Sequence, residues 1–371
     1  MTKYLRNVSK WGIVIAIMAM LQLSSCGDDD GSETPVTQEF DRTELLSSLA
    51  NNLILPNFES LQTSVTSLSS AAEGFSQNTN EDNLMALRSA WIQAVTDHQH
   101  CSAFGFGPAS LPLGAYAAVL GVFPVDENQV EANVLDPNFN LSASFDRDVR
   151  GFYAVEYMIY GNGQSANDLI GAFDQQRLDY LLLLITELKT TVDSIVAEWN
   201  ASYLTEFSND NSTSAGSAIS LLYNEWVKDY ENLKNFKLEL PAGLTAGQGS
   251  ADGTLVEAFY SGISRDLIIE HFESTKDVYL GLSRSGQDIM GFNDYLNSVV
   301  GGEELVTTTI PVIEDIDDAI SSLPQGRLSD QIEAQEVITL RDLLQANTAN
   351  FKSSMSSILG ISITFNSGDG D

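Results

Sequence analysis

An all-α fold is the expectation for this chain of 371 residues, built as two helical-bundle halves packed side by side. Apolar residues recur at three- and four-residue spacing through most of the chain. Alternating strand patterns are nearly absent, Ile361–Phe365 being the main one. Most connections are short, which favours antiparallel helical neighbours, and the length suffices for two bundles.

The elements follow in order. Asp41-Arg42-Thr43-Glu44 reads as a helix N-cap with its acidic partner. Leu45, Leu49, Leu53, Leu61, Val65 and Leu68 then mark a buried stripe, which Pro56 should kink or split. A second helix is expected over 80–104, with Leu84, Leu87, Trp91 and Val95 on one side. A Gly/Pro-rich connection over 105–124 is long and irregular, as functional loops often are. Helices are expected over 127–134, 146–160, 173–207 and 215–236, followed by a break at Pro241-Ala242-Gly243 and a loop at 247–253. Further helices are expected near 265–282, 287–299, 312–323 and 330–359. Trp199 and Trp226 lie in long helices and belong to the core.

The first 25 residues read as a processing segment. Lys3, Arg6 and Lys10 precede an apolar run from Trp11 to Leu23, too short for a spanning helix of roughly 20 residues. Leu23-Ser24-Ser25-Cys26 resembles the lipobox of bacterial lipoproteins, which implies cleavage before Cys26 and its acylation. Residues 26–39 contain Asp28-Asp29-Asp30 and nothing that can be buried, so they read as an acidic flexible tether. The body divides into 40–210 and 211–371. The expected location is the cell envelope, as an outer-membrane lipoprotein facing the periplasm or the surface, with the membrane contacted through Cys26.

A formal charge of −33, from 51 acidic and 18 basic residues, repels nucleic acid and excludes it as a partner. Hydrophobic content of 43% with 17 Phe and 12 Tyr excludes a disordered acidic protein. With Cys26 lipidated, Cys101 has no partner and no disulfide framework exists.

Trp91, Ser102-Ala103-Phe104-Gly105-Phe106-Gly107-Pro108, Phe123-Pro124-Val125-Asp126 and Gly151-Phe152-Tyr153-Ala154-Val155-Glu156 occur in that order, with Leu359–Asp371 closing the chain. Together these segments resemble the imelysin-like family over about residues 40–371. The resemblance implies two four-helix-bundle-like halves with a functional cleft between them. It also implies an envelope protein linked to iron or other nutrient uptake, often labelled a peptidase. The family signature is G-x-H-x-x-E, whose His and Glu are thought to bind a metal or ligand. Gly151 and Glu156 match it, and Tyr153 stands at the histidine position. A phenol with a pKa near 10 is a weak ligand for divalent metals at neutral pH.

Tyr153 and Glu156, three apart on a helix, share a face. With Gly151 and Trp91 they mark the expected cleft, and His100 borders it. Asp97 and His100 also share a side, so Asp97, His100 and Glu156 could form a relocated site for iron or zinc. Peptidase logic is otherwise lacking. His271 has no H-E-x-x-H context, and Gly281–Gly286 lacks the strand–turn–helix setting of a nucleophile elbow. Asp315–Asp318 lacks the spacing of a calcium loop. The expected function is a non-catalytic, envelope-tethered binding protein for a small ligand or an envelope protein. The alternatives are a metal-dependent hydrolase and a surface protein that docks a partner through loop 105–124.

Overall fold

A computed structural model describes residues 40–110, 119–136, 138–141 and 146–365. The expected signal peptide at 1–25, the expected lipidation site Cys26 and the expected tether at 26–39 lie outside the described residues, as do 111–118 of the long loop and the closing 366–371. From Phe40 onward the chain forms one compact unit. No β-strand occurs among the described residues, nor any helix long and apolar enough to cross a membrane.

The main helices are α1 (Arg42–Leu49), α2 (Leu55–Gln77), α3 (Glu81–Gln99), α4 (Glu127–Leu135), α5 (Gly151–Tyr160) and α6 (Gln175–Glu198), then α7 (Ala218–Lys234), α8 (Ser264–Leu280), α9 (Gly302–Ser321) and α10 (Gln335–Thr348). Their starts are written in the sequence. Asp41, Asn80, Asp126, Asp174 and Ser217 cap α1, α3, α4, α6 and α7, each side chain accepting a first-turn backbone N–H. Such a cap is typically worth about 1 kcal/mol. Pro56 does not break its helix, because a π-helical turn at Ala50–Ile54 precedes it and the proline sits in the first turn of α2, where no N–H is needed.

α2 packs along α3 and α6, and α5 lies on α6. Leu61, Val65, Leu68 and Phe75 of α2 are fully buried, each contributing roughly 1.5–3 kcal/mol. Trp199 is buried beside Phe106, Tyr203 and Phe207. In the later set, α9 packs on α10 and α7 on α8, around Trp226 with Phe292, Tyr279 and Phe351. The two sets meet where α8 lies on α3 and where α7 lies on the short turn Ser102–Phe104.

Further expectations change, and the helices expected from 287 and 330 begin at Phe292 and Gln335. The helix expected from 312 begins at Gly302, since Pro311 is accommodated inside it. The helix expected over 146–160 begins at Gly151, whose φ of +73° marks the break. The strand pattern at Ile361–Phe365 finds no strand to pair with. Asn224 of α7 takes that role instead, accepting from Thr364 N at 2.7 Å and donating to Ser362 O at 3.0 Å.

Candidate functional site

A cavity of about 490 Å³ opens where the two sets of helices meet. Its floor draws on five elements: His98 and Gln99 end α3, Tyr153 lies in the first turn of α5, Asp229 comes from α7, Glu257 from the segment before α8, and His271 from α8. After α7 the helix widens into a π-helical stretch at Asn235–Glu239, a form often found at functional sites. There Lys237 is only 5% exposed and faces the floor, while adjacent Phe236 is 49% exposed at the mouth. Val122, Phe123 and Leu240 complete a largely apolar entrance, which Arg147, Lys228 and Asn232 also line.

The floor is a connected polar network, with His271 Nδ1 left without a hydrogen-bond partner among the described residues. Lys237 Nζ lies 2.8 Å from Glu257 Oε2 and donates to Gln99 Oε1 at 2.6 Å. Gln99 Nε2 donates to Glu257 Oε1 at 3.1 Å, and the Tyr153 hydroxyl donates to the same oxygen. Burial alone would raise the Glu257 carboxyl, but the Lys237 ammonium and these bonds hold it below its ordinary range. Beside it, Asp229 Oδ2 lies 2.9 Å from His271 Nε2 and accepts from Ser102 Oγ at 2.9 Å. Burial again pushes up and loses to the charge of His271, so the Asp229 carboxyl is also held low. Burial drives the His98 imidazole down to about 4, so it is neutral at pH 7. Burial and the Glu257 charge raise the Tyr153 phenol well above its usual value.

The motif glycine has a steric reason. A Cβ on Gly151 would lie 2.1 Å from Leu120 O, and its φ is positive. Gly121 similarly makes room for the Tyr153 ring, which a Cβ there would meet at 2.8 Å. Glu156 points away from the cavity floor and accepts from Ser261 N at 2.7 Å. Burial raises its carboxyl to about 7 against the pull of the Ser261 bonds. Trp91 is a strut rather than a lining residue, donating its indole N–H to Phe152 O at 2.8 Å and meeting Tyr160 edge-on.

Of the expected cleft residues, Tyr153 lines the cavity, while Gly151, Trp91 and Glu156 support its helix. Asp97, His100 and Glu156 are not brought together. Asp97 pairs with Arg284, His100 Nε2 with Glu270 Oε2 at 2.8 Å, and Glu156 with Ser261. Among the described residues no group of three or more His, Cys, Asp and Glu side chains could hold a metal ion. In the cavity floor an ammonium already stands between Glu257 and Gln99. These residues do not fit a resident metal.

A family model for imelysin, also called peptidase M75, matches residues 54–355. The chain belongs to the imelysin family. Two solved structures share its fold. One, described as an iron-regulated protein A precursor from Parabacteroides distasonis ATCC 8503, is 18% identical with a TM-score of 0.71, covering 86% of this chain and 95% of that one. The other is an imelysin-like protein from Psychrobacter arcticum 273-4, 19% identical with a TM-score of 0.67, covering 88% and 98%. A search of curated proteins finds no match. In this imelysin-family chain the sequence reading missed Lys237, Glu257 and Asp229. Lys234 and Lys237 near a helix end look like ordinary C-terminal cations, and Glu257 sits in an unremarkable loop.

Proposed function

We propose that this imelysin-family protein is a lipid-anchored envelope protein that binds a small, largely apolar ligand in the cavity beside Tyr153 and does no chemistry on it. One observation carries the reading: a largely apolar mouth, in which Val122, Phe123, Phe236 and Leu240 outweigh Arg147, Lys228 and Asn232, over a floor whose charges are paired as Lys237 with Glu257 and His271 with Asp229. A cavity of about 490 Å³ lies within the usual range for small-molecule sites. A ligand that displaced Glu257 from Lys237 would strand a buried charge at a cost of several kcal/mol. A ligand filling the mouth meets no such penalty.

The hydrolase alternative lacks support in the same geometry. Ser102 donates directly to Asp229 Oδ2, and His271 Nε2 meets that same carboxylate oxygen. A hydroxyl nucleophile needs the imidazole between hydroxyl and acid. Asp229 itself, held low by His271, is a poor general base at neutral pH. A role in iron-related nutrient uptake is supported by the iron-regulated description of the Parabacteroides neighbour. Because no ligand set for a bare ion forms among the described residues, the cargo in this reading is organic. Cys26 supplies the anchor at the outer membrane.

Native mass spectrometry with elemental analysis, on protein taken from its own host after Cys26→Ser releases it from the membrane, tests both parts. The expected result is a soluble chain carrying a non-covalent organic mass and no stoichiometric transition metal. A chain that stays membrane-bound overturns the anchor; a stoichiometric metal overturns the choice of cargo.

A further inference from the structure

The chain carries 51 acidic residues against 18 basic ones, so most cations should find a carboxylate, and most described ones do. Arg284 pairs with Asp97, Arg177 with Glu131, Arg341 with Glu239, Lys276 with Asp317 and Lys352 with Glu231. Arg88 and Arg327 do not. Among the described residues neither has a carboxylate at ion-pair distance, and their hydrogen bonds go to main-chain carbonyls. Arg88 Nε donates to Ile159 O at 2.8 Å, and Arg327 donates to Tyr260 O and Phe259 O. The two terminal nitrogens of Arg88 have no partner among the described residues.

These two arginines, which are 239 positions apart in the sequence, line one pocket of about 390 Å³. Its other walls are Tyr160, Phe259, Tyr260 and the turn Gly161–Gln164. Each guanidinium lies over a ring, Arg88 over Tyr160 at 4.7 Å and Arg327 over Phe259 at 5.5 Å. Ring and carbonyl together fix the orientation of each fork, leaving N–H groups for an oxygen acceptor. Arg88 is half-buried, and burial lowers its pKa from the ordinary arginine value. Glu81 acts on Arg88 through space without an ion pair, so its partly desolvated guanidinium keeps donors that a bound anion would satisfy.

We propose that this pocket is an anion site, separate from the Tyr153 cavity, for a small ligand that carries a carboxylate or phosphate group on a flat apolar body. The guanidinium forks suit planar, two-point recognition of either oxyanion. The faces of Tyr160 and Tyr260 suit an aromatic or similarly flat body beside it.

Titration calorimetry of the purified mature chain at low ionic strength tests this, with inorganic phosphate and phthalate as probes. At least one probe is expected to bind saturably at one per chain. Arg327→Gln and Arg88→Gln should each weaken it by about tenfold or more, the loss of one charge-assisted bond, while Arg341→Gln should leave it unchanged. Binding of phosphate alone assigns a phosphate ligand, and stronger binding of phthalate assigns a carboxylate on a ring. Arg327 is exposed, so its variant keeps the test valid even if Arg88→Gln unfolds the chain, which the thermal midpoint reports. Absence of saturable binding by either probe at millimolar concentration, or binding indifferent to Arg327→Gln in a folded chain, overturns the proposal.

Discussion

The Tyr153 cavity and the Arg88–Arg327 pocket treat positive charge in opposite ways. In the first, Lys237 is buried and answered inside the protein by Glu257 and Gln99. In the second, half-buried Arg88 and exposed Arg327 lie against aromatic rings with no carboxylate at ion-pair distance among the described residues. Yet one segment serves both, since Glu257 forms the floor of the cavity while Phe259 and Tyr260 wall the pocket. The contrast teaches what each can recognise. A neutralised floor rewards apolar contact at the mouth, whereas unanswered arginines reward an anion.

The largest expected effect sharpens that difference. Lys237→Met alone should cost about 3–5 kcal/mol of stability, because it strands the Glu257 carboxylate in the interior. Arg327→Gln removes the same formal charge and should move stability by no more than about 0.5 kcal/mol, as exposed substitutions usually do. Denaturant titration of both variants checks this, and similar losses at the two sites would break the distinction. Next in size is Gly151→Ala, which meets Leu120 O and a positive φ at once. It should lower stability by more than about 1 kcal/mol, read as a lower denaturation midpoint.

The third effect is a pH dependence with two opposed signs. His98, depressed to about 4 by burial, favours the folded state above its unfolded pKa of 6.5, and that stability is lost as pH falls toward 4. Glu156, raised to about 7, contributes in the reverse sense, with stability present below its unfolded value of 4.5 and lost as pH rises through 7. Glu156→Gln keeps an oxygen for Ser261 N and removes the second contribution. The variant should therefore gain stability relative to the parent at pH 8 and show no such gain at pH 4. Equal differences at the two pH values would contradict the buried setting assigned to Glu156.

Much of the fold was legible because helices announce themselves locally. The caps at Asp41 and Asn80, the apolar stripe of α2 and the buried Trp199 and Trp226 all follow from spacing and residue type. The segment Ile361–Phe365 misled because alternation alone does not supply a partner strand, and here Asn224 stands in for one. The site was legible only at Tyr153. Its other members lie 54 residues upstream at Gln99 and 84 and 104 residues downstream at Lys237 and Glu257, and only tertiary packing unites them. Asp97 and His100, placed together by helical spacing, proved to be held by Arg284 and Glu270 from the later half of the chain. Helix periodicity tells which side chains share a face and says nothing about what faces them.

The central claim is that the cavity beside Tyr153 receives an apolar ligand through the mouth formed by Phe236 and Leu240. Its most direct test is fluorescence titration with N-phenylnaphthylamine, an uncharged hydrophobic dye, on the mature chain and on Phe236→Asp and Leu240→Asp variants. The account predicts saturable binding at one dye per chain, weakened about tenfold or more in either variant and unaffected by Arg327→Gln. A dye that fails to bind, or binds the mouth variants as well as the parent, would contradict it.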